Sequence, residues 1–226
     1  MQVEVSGIKK AYRKKTVLRG ASFSAQTGSC VGIVGSNGSG KSTLLSILAG
    51  VRRADSGSFF CDGVDLLRRP ALLPKMLGYV PQGDPLMEEL NAWDNLRLWY
   101  DRKTLEESLA GGALRLLGVG DFLKTPVHRM SGGMKKRLSI GCAVVSGPGV
   151  LLLDEPSAAL DPVCKESIRG YLEAYRNAGG IVLMVTHDAQ DLEVCDECHI
   201  LKDGVLHPYQ YNGDFHRLSD ILRMEG

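Results

Sequence analysis

The chain has 226 residues, which fits one large domain or one domain carrying an inserted subdomain, and leaves no room for two large domains. Its 27 Lys and Arg residues against 26 Asp and Glu residues give a net charge of +1, which excludes a global field that would hold the chain on nucleic acid or an acidic membrane surface. No apolar run reaches 18 residues and the start, MQVEVSGIKK, has no signal-peptide core, so we expect neither a membrane span nor export of the chain.

Short strands separated by polar or glycine-containing turns are predicted at the start of the chain. They cover residues 3–5, 17–24 and 30–34, and the third is apolar enough to be a central strand. A glycine-rich loop and a helical run over 41–48, stopped by Gly50, follow it. The order strand, loop, helix is therefore predicted around residue 35.

The pattern changes to helix between residues 84 and 145. Apolar residues recur at spacings of three and four over 90–100 and 105–117. We interpret the segment 84–145 as a helical insertion.

Two nearly uninterrupted apolar runs follow, at 150–153 and 181–185, with a helical stretch at 163–176 between them. Strands without alternation are buried on both faces, as in a parallel sheet with helical crossovers. Residues 199–207 then predict a hairpin that turns at 203–204.

The loop at residues 35–42 reads GSNGSGKS, which matches the Walker A pattern Gly-x-x-x-x-Gly-Lys-Ser/Thr. Glycines let successive amide groups point at phosphates, in front of the positive end of the following helix. Lys41 is predicted to reach the β- and γ-phosphates, and Ser42 to bind Mg²⁺. The predicted nucleotide-binding residues here are Gly35, Ser36, Asn37, Gly38, Ser39, Gly40, Lys41, Ser42 and Thr43.

Two carboxylates, Asp154 and Glu155, end the apolar run at 150–153. Open α/β sheets bind their ligands at this edge, so the pair predicts a Walker B arrangement. Asp154 would hold Mg²⁺, directly or through water, and Glu155 would orient or deprotonate the attacking water. Standing alone, the pair would indicate a solvated turn.

A third motif reads Met130-Ser131-Gly132-Gly133-Met134 and precedes an apolar helical run. It resembles the signature motif of ABC (ATP-binding cassette) ATPases, with Met130 and Met134 in place of the family's frequent leucine and glutamine. Ser131 can cap the helix while the helix terminus presents N–H donors to a phosphate. A capped helix without a ligand is the alternative for these residues alone.

The resemblance is colinear from Tyr12 to about residue 206 and assigns four further positions. It implies that Tyr12 stacks on adenine and that Gln82 senses magnesium and water. It also implies that Asp161 lies at a dimer interface and that His187 contacts the γ-phosphate. On its own each residue has a plainer interpretation: a packed strand tyrosine, a surface amide, a helix cap and a structural histidine.

By resemblance, the fold is α/β: a P-loop NTPase core with a mostly parallel sheet, an N-terminal antiparallel β subdomain and an inserted α-helical subdomain. We predict one domain, with the core at 1–83 and 146–207, the helical subdomain at 84–145 and a short C-terminal extension at 208–226, in which we find no motif.

The resemblance also implies ATP and Mg²⁺ as cofactors, with two sets of site residues. The implied catalytic residues are Lys41, Gln82, Glu155 and His187. The implied magnesium ligands are Ser42, Gln82 and Asp154. The Ser131-Gly132-Gly133 core of one subunit would complete the ATP site of another.

The implied activity is ATP hydrolysis coupled to transport, on the cytoplasmic face of the membrane. The expected partners are a transmembrane permease and a second cassette, identical or different, and no direct nucleic acid. The alternative is a soluble cassette ATPase in cofactor assembly, repair or translation; heptads or two cassettes in one chain would favour repair or translation, and both are absent. A GTPase is disfavoured because the sequence has no Asn-Lys-x-Asp motif. A non-hydrolysing regulator is also disfavoured, because it would be expected to lack Glu155 or His187 and both are present.

Two features stand outside these motifs. The basic run Lys9, Lys10, Arg13, Lys14 and Lys15 predicts a solvated hairpin, or charges near the nucleotide phosphates. Cys195 and Cys198 form a lone C-x-x-C. We favour a helix end that runs into a strand over a metal or redox site, because there is no second pair and no histidine at ligand spacing.

Overall fold

The computed structural model describes residues 1–13 and 15–223, so Lys14 of the basic run and residues 224–226 of the C-terminal extension lie outside the described part. In chain order the strands are β1 (Gln2–Tyr12), β2 (Lys15–Gln26), β3 (Cys30–Val34), β4 (Ser56–Cys61), β5 (Val64–Asp65), β6 (Leu77–Val80), β7 (Val150–Asp154), β8 (Ile181–Val185), β9 (Glu197–Lys202) and β10 (Val205–Tyr209). The α-helices are α1 (Lys41–Leu48), α2 (Leu73–Met76), α3 (Ala92–Arg97), α4 (Arg102–Gly111), α5 (Ala113–Leu116), α6 (Gly132–Val144), α7 (Pro162–Asn177), α8 (Ala189–Glu193) and α9 (Phe215–Arg223).

A six-stranded sheet with the order β10-β9-β3-β8-β7-β6 forms the centre of the molecule. All its neighbouring pairs are parallel except β10 and β9, which form an antiparallel hairpin at the edge. Every residue of β3, β7 and β8 is buried. This confirms the prediction of a mostly parallel sheet with both faces covered, because unalternating apolar strands fit only such a layer.

The predicted hairpin at 199–207 is also confirmed. Its turn residues Asp203 and Gly204 both have positive φ, 48° and 78°, as a two-residue hairpin turn of type I′ requires.

A second, antiparallel sheet has the order β2-β1-β4-β5. The hairpin of β1 and β2 is the predicted N-terminal β subdomain, but the strands β4 and β5, together with β6 of the parallel sheet, were missed. The sequence of β4, SGSFFC, has no alternation, and it is a strand because it pairs with β1 from Val3↔Cys61 to Lys9↔Ser56. Gly57 permits this pairing: a Cβ there would lie 2.7 Å from the backbone of Gly7.

The helical segment between β6 and β7 differs from the prediction in two places. The helix expected at 90–100 is shorter: α3 begins after Asn91, whose side chain caps it by accepting a hydrogen bond from the Asp94 amide, and ends at Arg97. The single helix expected at 105–117 is wrong: α4 ends at Gly111, and Gly112 adopts extended backbone before α5. A Cβ on Gly112 would lie 2.9 Å from Ser108 Cα, so the break needs glycine.

The central strands separate two hydrophobic cores. On β7, Val150 and Leu152 face the core shared with α1 and the antiparallel sheet, whereas Leu151 and Leu153 face the core shared with α6 and α7. A smaller cluster packs Leu218 of α9 against Val34 and neighbouring residues. Within residues 1–13 and 15–223, we find no helix with the length and apolar content to cross a bilayer.

Candidate active site

Three loops that follow β3, β7 and β8 lie together at one edge of the parallel sheet. In the register of these strands, Val185 is the neighbour of both Ile33 and Asp154. The glycine-rich loop, the two carboxylates and His187 therefore emerge side by side, although they are far apart in sequence.

The phosphate-binding loop leads directly into α1, which begins at Lys41. The Lys41 ammonium is buried and donates hydrogen bonds to the carbonyl oxygens of Gly35 at 2.8 Å and Ser36 at 3.1 Å. Burial lowers the pKa of Lys41, and the charges of Glu155 and Asp154 oppose that shift. A cation fixed inside a ring of backbone groups is suited to an anionic ligand.

Two glycines of this loop are needed for close packing. A Cβ at Gly40, where φ is 111°, would lie 2.7 Å from a methyl group of Val17. A Cβ at Gly35 would lie 2.7 Å from the carbonyl oxygen of Leu201 and from Ser39 Oγ. The loop thus fits between β2 and β9 only if positions 35 and 40 have no side chain.

Asp154 ends β7 beside the loop and is fully buried. Its Oδ1 has no hydrogen-bond partner among the described residues. Burial raises the pKa of Asp154, opposed first by the hydroxyl of Ser42 and more weakly by Lys41. A buried carboxylate oxygen without a partner, next to a hydroxyl, is a donor pair that suits a hard cation such as Mg²⁺.

Glu155 and His187 face each other across the ends of β7 and β8. The Glu155 Oε1 to His187 Nε2 distance is 3.7 Å, and Glu155 has a left-handed backbone with φ of 53°. Its amide donates to the Val185 carbonyl at 2.8 Å, which holds this unusual backbone in place. Burial lowers the pKa of His187, and Lys41 lowers it further, so the imidazole is neutral at pH 7.

Six of the predicted nucleotide-binding and catalytic residues line one cavity of about 480 Å³. Its lining residues are Gly35, Ser36, Asn37, Gln82, Glu155, His187, Ser219 and Leu222. Ser219 and Leu222 belong to α9, which sequence reasoning missed. The spacing of Phe215, Leu218 and Leu222 could have indicated a helix, but not its place at this cavity.

A larger groove of about 680 Å³ lies on the other side of Gln82. It is lined by Ser42, Thr43, Ser46, Val51, Arg52, Tyr79, Pro81, Gln82, Gly83, Pro85, Leu86, Trp99, Ser139, Cys142, Ala143 and Asp154. Gln82 is the predicted site residue common to the cavity and the groove. The groove runs from the candidate metal ligands to exposed apolar residues.

Lys136, a buried residue of α6 that sequence reasoning missed, fixes the loop around Gln82. Its Nζ lies 3.4 Å from the Gln82 carbonyl oxygen and 3.0 Å from Asp84 Oδ1. The helix that begins at the Ser-Gly-Gly motif is thereby tied to the loop of Gln82.

Tyr12 lies at the end of β1, and its side chain is partly exposed. The Arg52 guanidinium donates to its hydroxyl at 3.0 Å, and Lys10 Nζ lies 5.4 Å from the ring centroid. The Tyr12 ring therefore lies among cations and is open to solvent. It lines neither the cavity nor the groove.

The signature residues stand apart from these groups. Ser131 caps α6 by accepting a hydrogen bond from the Met134 amide at 3.2 Å, and both Ser131 and Gly132 are exposed. Gly133 is buried against Cys164. Asp161 caps α7 by accepting from the Cys164 amide at 3.0 Å, and this bond lowers the pKa of Asp161. None of these residues lines the cavity or the groove.

A buried hydrogen-bond network, also missed from sequence, supports the ends of β7 and β8. Asp191 of α8 accepts from Ser157 Oγ at 2.6 Å and from Thr186 Oγ1 at 2.7 Å. Burial raises the pKa of Asp191, and the two hydroxyl groups oppose the shift. The network joins the loop after Glu155 to the loop that carries His187.

The C-x-x-C pair lies where a helix ends and a strand begins, as predicted. Cys195 follows the end of α8 and Cys198 lies within β9. Both are free thiols, and Cys195 Sγ lies 3.5 Å from Cys30 Sγ. In the part of the chain that the structure describes, no group of three potential ligands is arranged to hold a metal ion.

Comparison with known proteins shows which family the chain belongs to. The family described as ABC transporter matches residues 18–158. The linearmycin resistance ATP-binding protein LnrL of Bacillus subtilis (strain 168) is 33% identical over 207 residues, which are 89% of this chain and 67% of that protein. The lantibiotic transport ATP-binding protein SrtF of Streptococcus pyogenes is 31% identical over 191 residues, 84% of this chain and 82% of that protein.

A solved structure of an ATP-binding cassette, dimeric and bound to ADP and Pi in a post-hydrolysis state, is similar with a TM-score of 0.80. It is 25% identical, and the match covers 92% of this chain and 98% of that one. The similarity confirms the predicted P-loop fold. The chain therefore belongs to the ABC transporter family, as an ATP-binding and ATP-hydrolysing subunit.

Proposed function

We propose that this subunit binds ATP with Mg²⁺ at the edge of the parallel sheet and closes onto a second cassette. Closure would drive a substrate through a separate permease in the membrane, with this subunit on the cytoplasmic face. One observation carries the proposal: Lys41, Asp154, Glu155 and His187 meet at one sheet edge, with Asp154 Oδ1 and His187 Nε2 buried and without hydrogen-bond partners among the described residues.

The phosphates would bind in the ring of loop amides at the start of α1. Lys41 Nζ, which contacts the carbonyl oxygens of Gly35 and Ser36, would turn to the β- and γ-phosphate oxygens. Asn37 and Gly38 would cover the phosphates, and Tyr12 would stack on the base.

The residues present fit a magnesium ion. Ser42, Asp154 and Gln82 would hold it, the first two as neighbouring oxygen donors and the third from an exposed position in the loop that Lys136 contacts. Bound there, Mg²⁺ would neutralise charge on the phosphate oxygens.

Glu155 would take a proton from the attacking water, and His187 would donate a hydrogen bond to the γ-phosphate. Because burial and Lys41 keep His187 neutral, Glu155 does not face an imidazolium that would stabilise its anion and weaken it as a base. A neutral imidazole still has one N–H to offer the γ-phosphate oxygens. Positioning and charge stabilisation then account for most of the rate.

Ser131, Gly132 and Gly133 would act on the ATP of the second cassette. Their helix terminus is exposed and contributes to neither the cavity nor the groove of its own chain. Asp161 would lie along the same interface. Loss of the γ-phosphate contacts on hydrolysis would let the pair reopen.

The Glu155→Gln variant tests the hydrolytic role. Removing the base while keeping the shape is expected to lower steady-state ATP turnover roughly 10²- to 10⁴-fold with ATP binding retained. Turnover equal to that of the unaltered chain would refute the assignment.

The permease would dock in the groove of about 680 Å³. Two exposed apolar side chains stand at the groove, Trp99 with 71% and Val51 with 67% of the residue accessible, beside Pro85 and Leu86. Large exposed apolar groups around a groove mark a protein contact, and a short amphipathic helix of the permease fits one. Since Gln82 and Asp154 also line the groove, a permease segment docked there would lie next to two of the proposed magnesium ligands.

Capture of the membrane partner tests this docking. Trp99→Ala is expected to reduce co-purification of an integral membrane protein with the tagged chain at least about fivefold. Leu98→Ala is the matched control, because Leu98 is exposed on the same helix end but does not line the groove. Equal capture by both variants would contradict the groove as docking site, and a chain that captures no membrane protein would favour the soluble alternative.

We further propose export as the direction. Two of the similar proteins are named for linearmycin resistance and lantibiotic transport, functions that fit removal of a compound from the cell. The methionine at position 134 of the signature also resembles the signature of a group of bacterial export-type cassettes. Substrate efflux from cells that carry the intact pair of subunits tests the direction.

A further inference from the structure

An arginine with no role in the proposed function contacts the Tyr12 side chain. Arg52 Nη1 donates to Tyr12 Oη at 3.0 Å, and Arg52 Cζ lies 5.8 Å from the ring centroid. One guanidinium therefore contacts both the hydroxyl and the π system of the same side chain.

Arg52 is itself anchored to the helix that carries the phosphate loop. Arg52 follows the end of α1, and its backbone amide donates to the carbonyl of Ser46, a residue of α1, at 3.0 Å. Because α1 begins at Lys41, the Arg52 contact ties Tyr12 on β1 to the helix that starts at the phosphates. The Arg52 hydrogen bond would then hold the hydroxyl end of the Tyr12 ring at a fixed position relative to the bound phosphates.

The rest of the Tyr12 environment depends on the same few residues. Asp55 Oδ1 accepts from Lys10 Nζ at 2.8 Å, and Asp55 Oδ2 accepts from the Ala11 amide at 2.7 Å. These bonds fix the backbone just before Tyr12, and they leave the ring itself free to rotate. Of the described contacts of the Tyr12 side chain, the bond from Arg52 is the one that restrains the hydroxyl end.

We propose that Arg52 is a positioning residue that orients the Tyr12 ring for stacking on the nucleobase. The proposal rests on the base-stacking role proposed above for Tyr12. Without Arg52, a ring that is 38% exposed would sample other rotamers and would have to be ordered when ATP binds. Arg52 therefore acts on affinity for the base and leaves recognition of the phosphates to the loop.

The Arg52→Met variant tests the proposal, because methionine keeps an aliphatic stem and the backbone amide but removes the charge and every side-chain donor. In calorimetric titrations of the full chain without membrane partner, MgATP is expected to bind about three- to tenfold more weakly. Inorganic tripolyphosphate, which has no base, is expected to bind within about twofold of the unaltered chain. Arg53→Met is the matched control, adjacent and also exposed, and is expected to bind both ligands normally.

A second background separates ring orientation from a general charge effect. In Tyr12→Ala, where no ring remains, adding Arg52→Met is expected to change MgATP affinity by less than about twofold. Arg52→Lys, which keeps a charge and a donor, is expected to restore part of the affinity lost in Arg52→Met.

Three results would overturn the proposal: normal MgATP affinity of Arg52→Met, equal weakening of MgATP and tripolyphosphate, or the same Arg52→Met effect with and without Tyr12. Failure of the base-stacking role would look different, since Tyr12→Ala would then bind MgATP normally. Failure of the nucleotide site as a whole would leave the unaltered chain without binding of either ligand.

Discussion

The edge of the parallel sheet and the beginning of α6 are the two regions that we propose contact phosphate, and they differ in how far one chain completes them. At the sheet edge, Lys41, Asp154, Glu155 and His187 converge from three loops. At α6, the exposed Ser131 contacts only its own helix among the described hydrogen bonds. In the proposed function, one chain therefore carries an assembled nucleotide site and, apart from it, the residues that would complete the site of a second chain.

The largest effect that would sharpen this comparison is expected at Ser131. Ser131→Arg places a long charged side chain at the exposed helix terminus, so we expect ATP turnover to fall about hundredfold or more while MgATP affinity stays within about twofold. Steady-state hydrolysis and equilibrium binding measure the two quantities. Ser131→Thr is the control, because threonine keeps a capping hydroxyl. Loss of binding together with turnover would place Ser131 in the site of its own chain.

The next largest effect concerns the network under the sheet edge. Asp191→Ala leaves the hydroxyls of Ser157 and Thr186 without their buried acceptor, so we expect a loss of about 2–4 kcal/mol in the free energy of unfolding. Urea denaturation measures it, with Glu193→Ala on the exposed face of α8 as the matched control. A change below about 0.5 kcal/mol in Asp191→Ala would show that the network does not support this edge.

Alanine substitutions at two neighbouring glycines of the signature are expected to differ in their effect on stability, and the larger of the two effects is smaller than that of Asp191→Ala. A Cβ at Gly133 would lie 2.1 Å from Cys164 Sγ, whereas at Gly132 the nearest atom would be 3.9 Å away. Gly133→Ala is therefore expected to lose about 1–3 kcal/mol of folding stability, and Gly132→Ala to lose none. Thermal unfolding of the two variants makes the comparison. Equal stability would mean that the contact between α6 and α7 adjusts freely.

The smallest effect lies away from both regions, at His199 of β9. This buried imidazole has no hydrogen-bond partner on either nitrogen among the described residues, and burial lowers its pKa below the usual 6.5. Protonation then favours the unfolded chain, so stability is full above about pH 6.5 and falls as the pH drops through the folded-state pKa. Between pH 7.5 and 5.5, the unaltered chain should therefore lose more stability than His199→Leu, by at most about 1.4 kcal/mol for the one pH unit below 6.5. Parallel decline in both would exclude His199 as the cause.

The central strands and the phosphate loop could be predicted because their signals are local. The bounds of β3, α1 and β8 agree with the predicted ones, since a short apolar run beside glycine specifies each of them. The positions of Asp154 and His187 followed from the rule that parallel strands share a carboxyl edge. Their assigned roles stay predictions until the variants are measured, as do the domain boundaries at 83, 145 and 207.

Other features depend on contacts between distant segments and have no local signal. The strand β4 exists through its pairing with β1, and α9 reaches the cavity only because Leu218 packs on Val34. Arg52 is 40 residues from Tyr12, and nothing in either neighbourhood predicts their hydrogen bond. The single helix expected at 105–117 failed for a related reason: the periodicity continues through Gly112, where the backbone is extended and a Cβ would meet Ser108.

We expect the sheet edge of one chain to bind MgATP without help from the signature residues. Calorimetric titration of MgATP into three purified chains tests it most directly. We expect saturable binding by the unaltered chain and by Ser131→Arg, and affinity at least about tenfold weaker in Lys41→Met. No binding by the unaltered chain, or equal losses in Ser131→Arg and Lys41→Met, would contradict it.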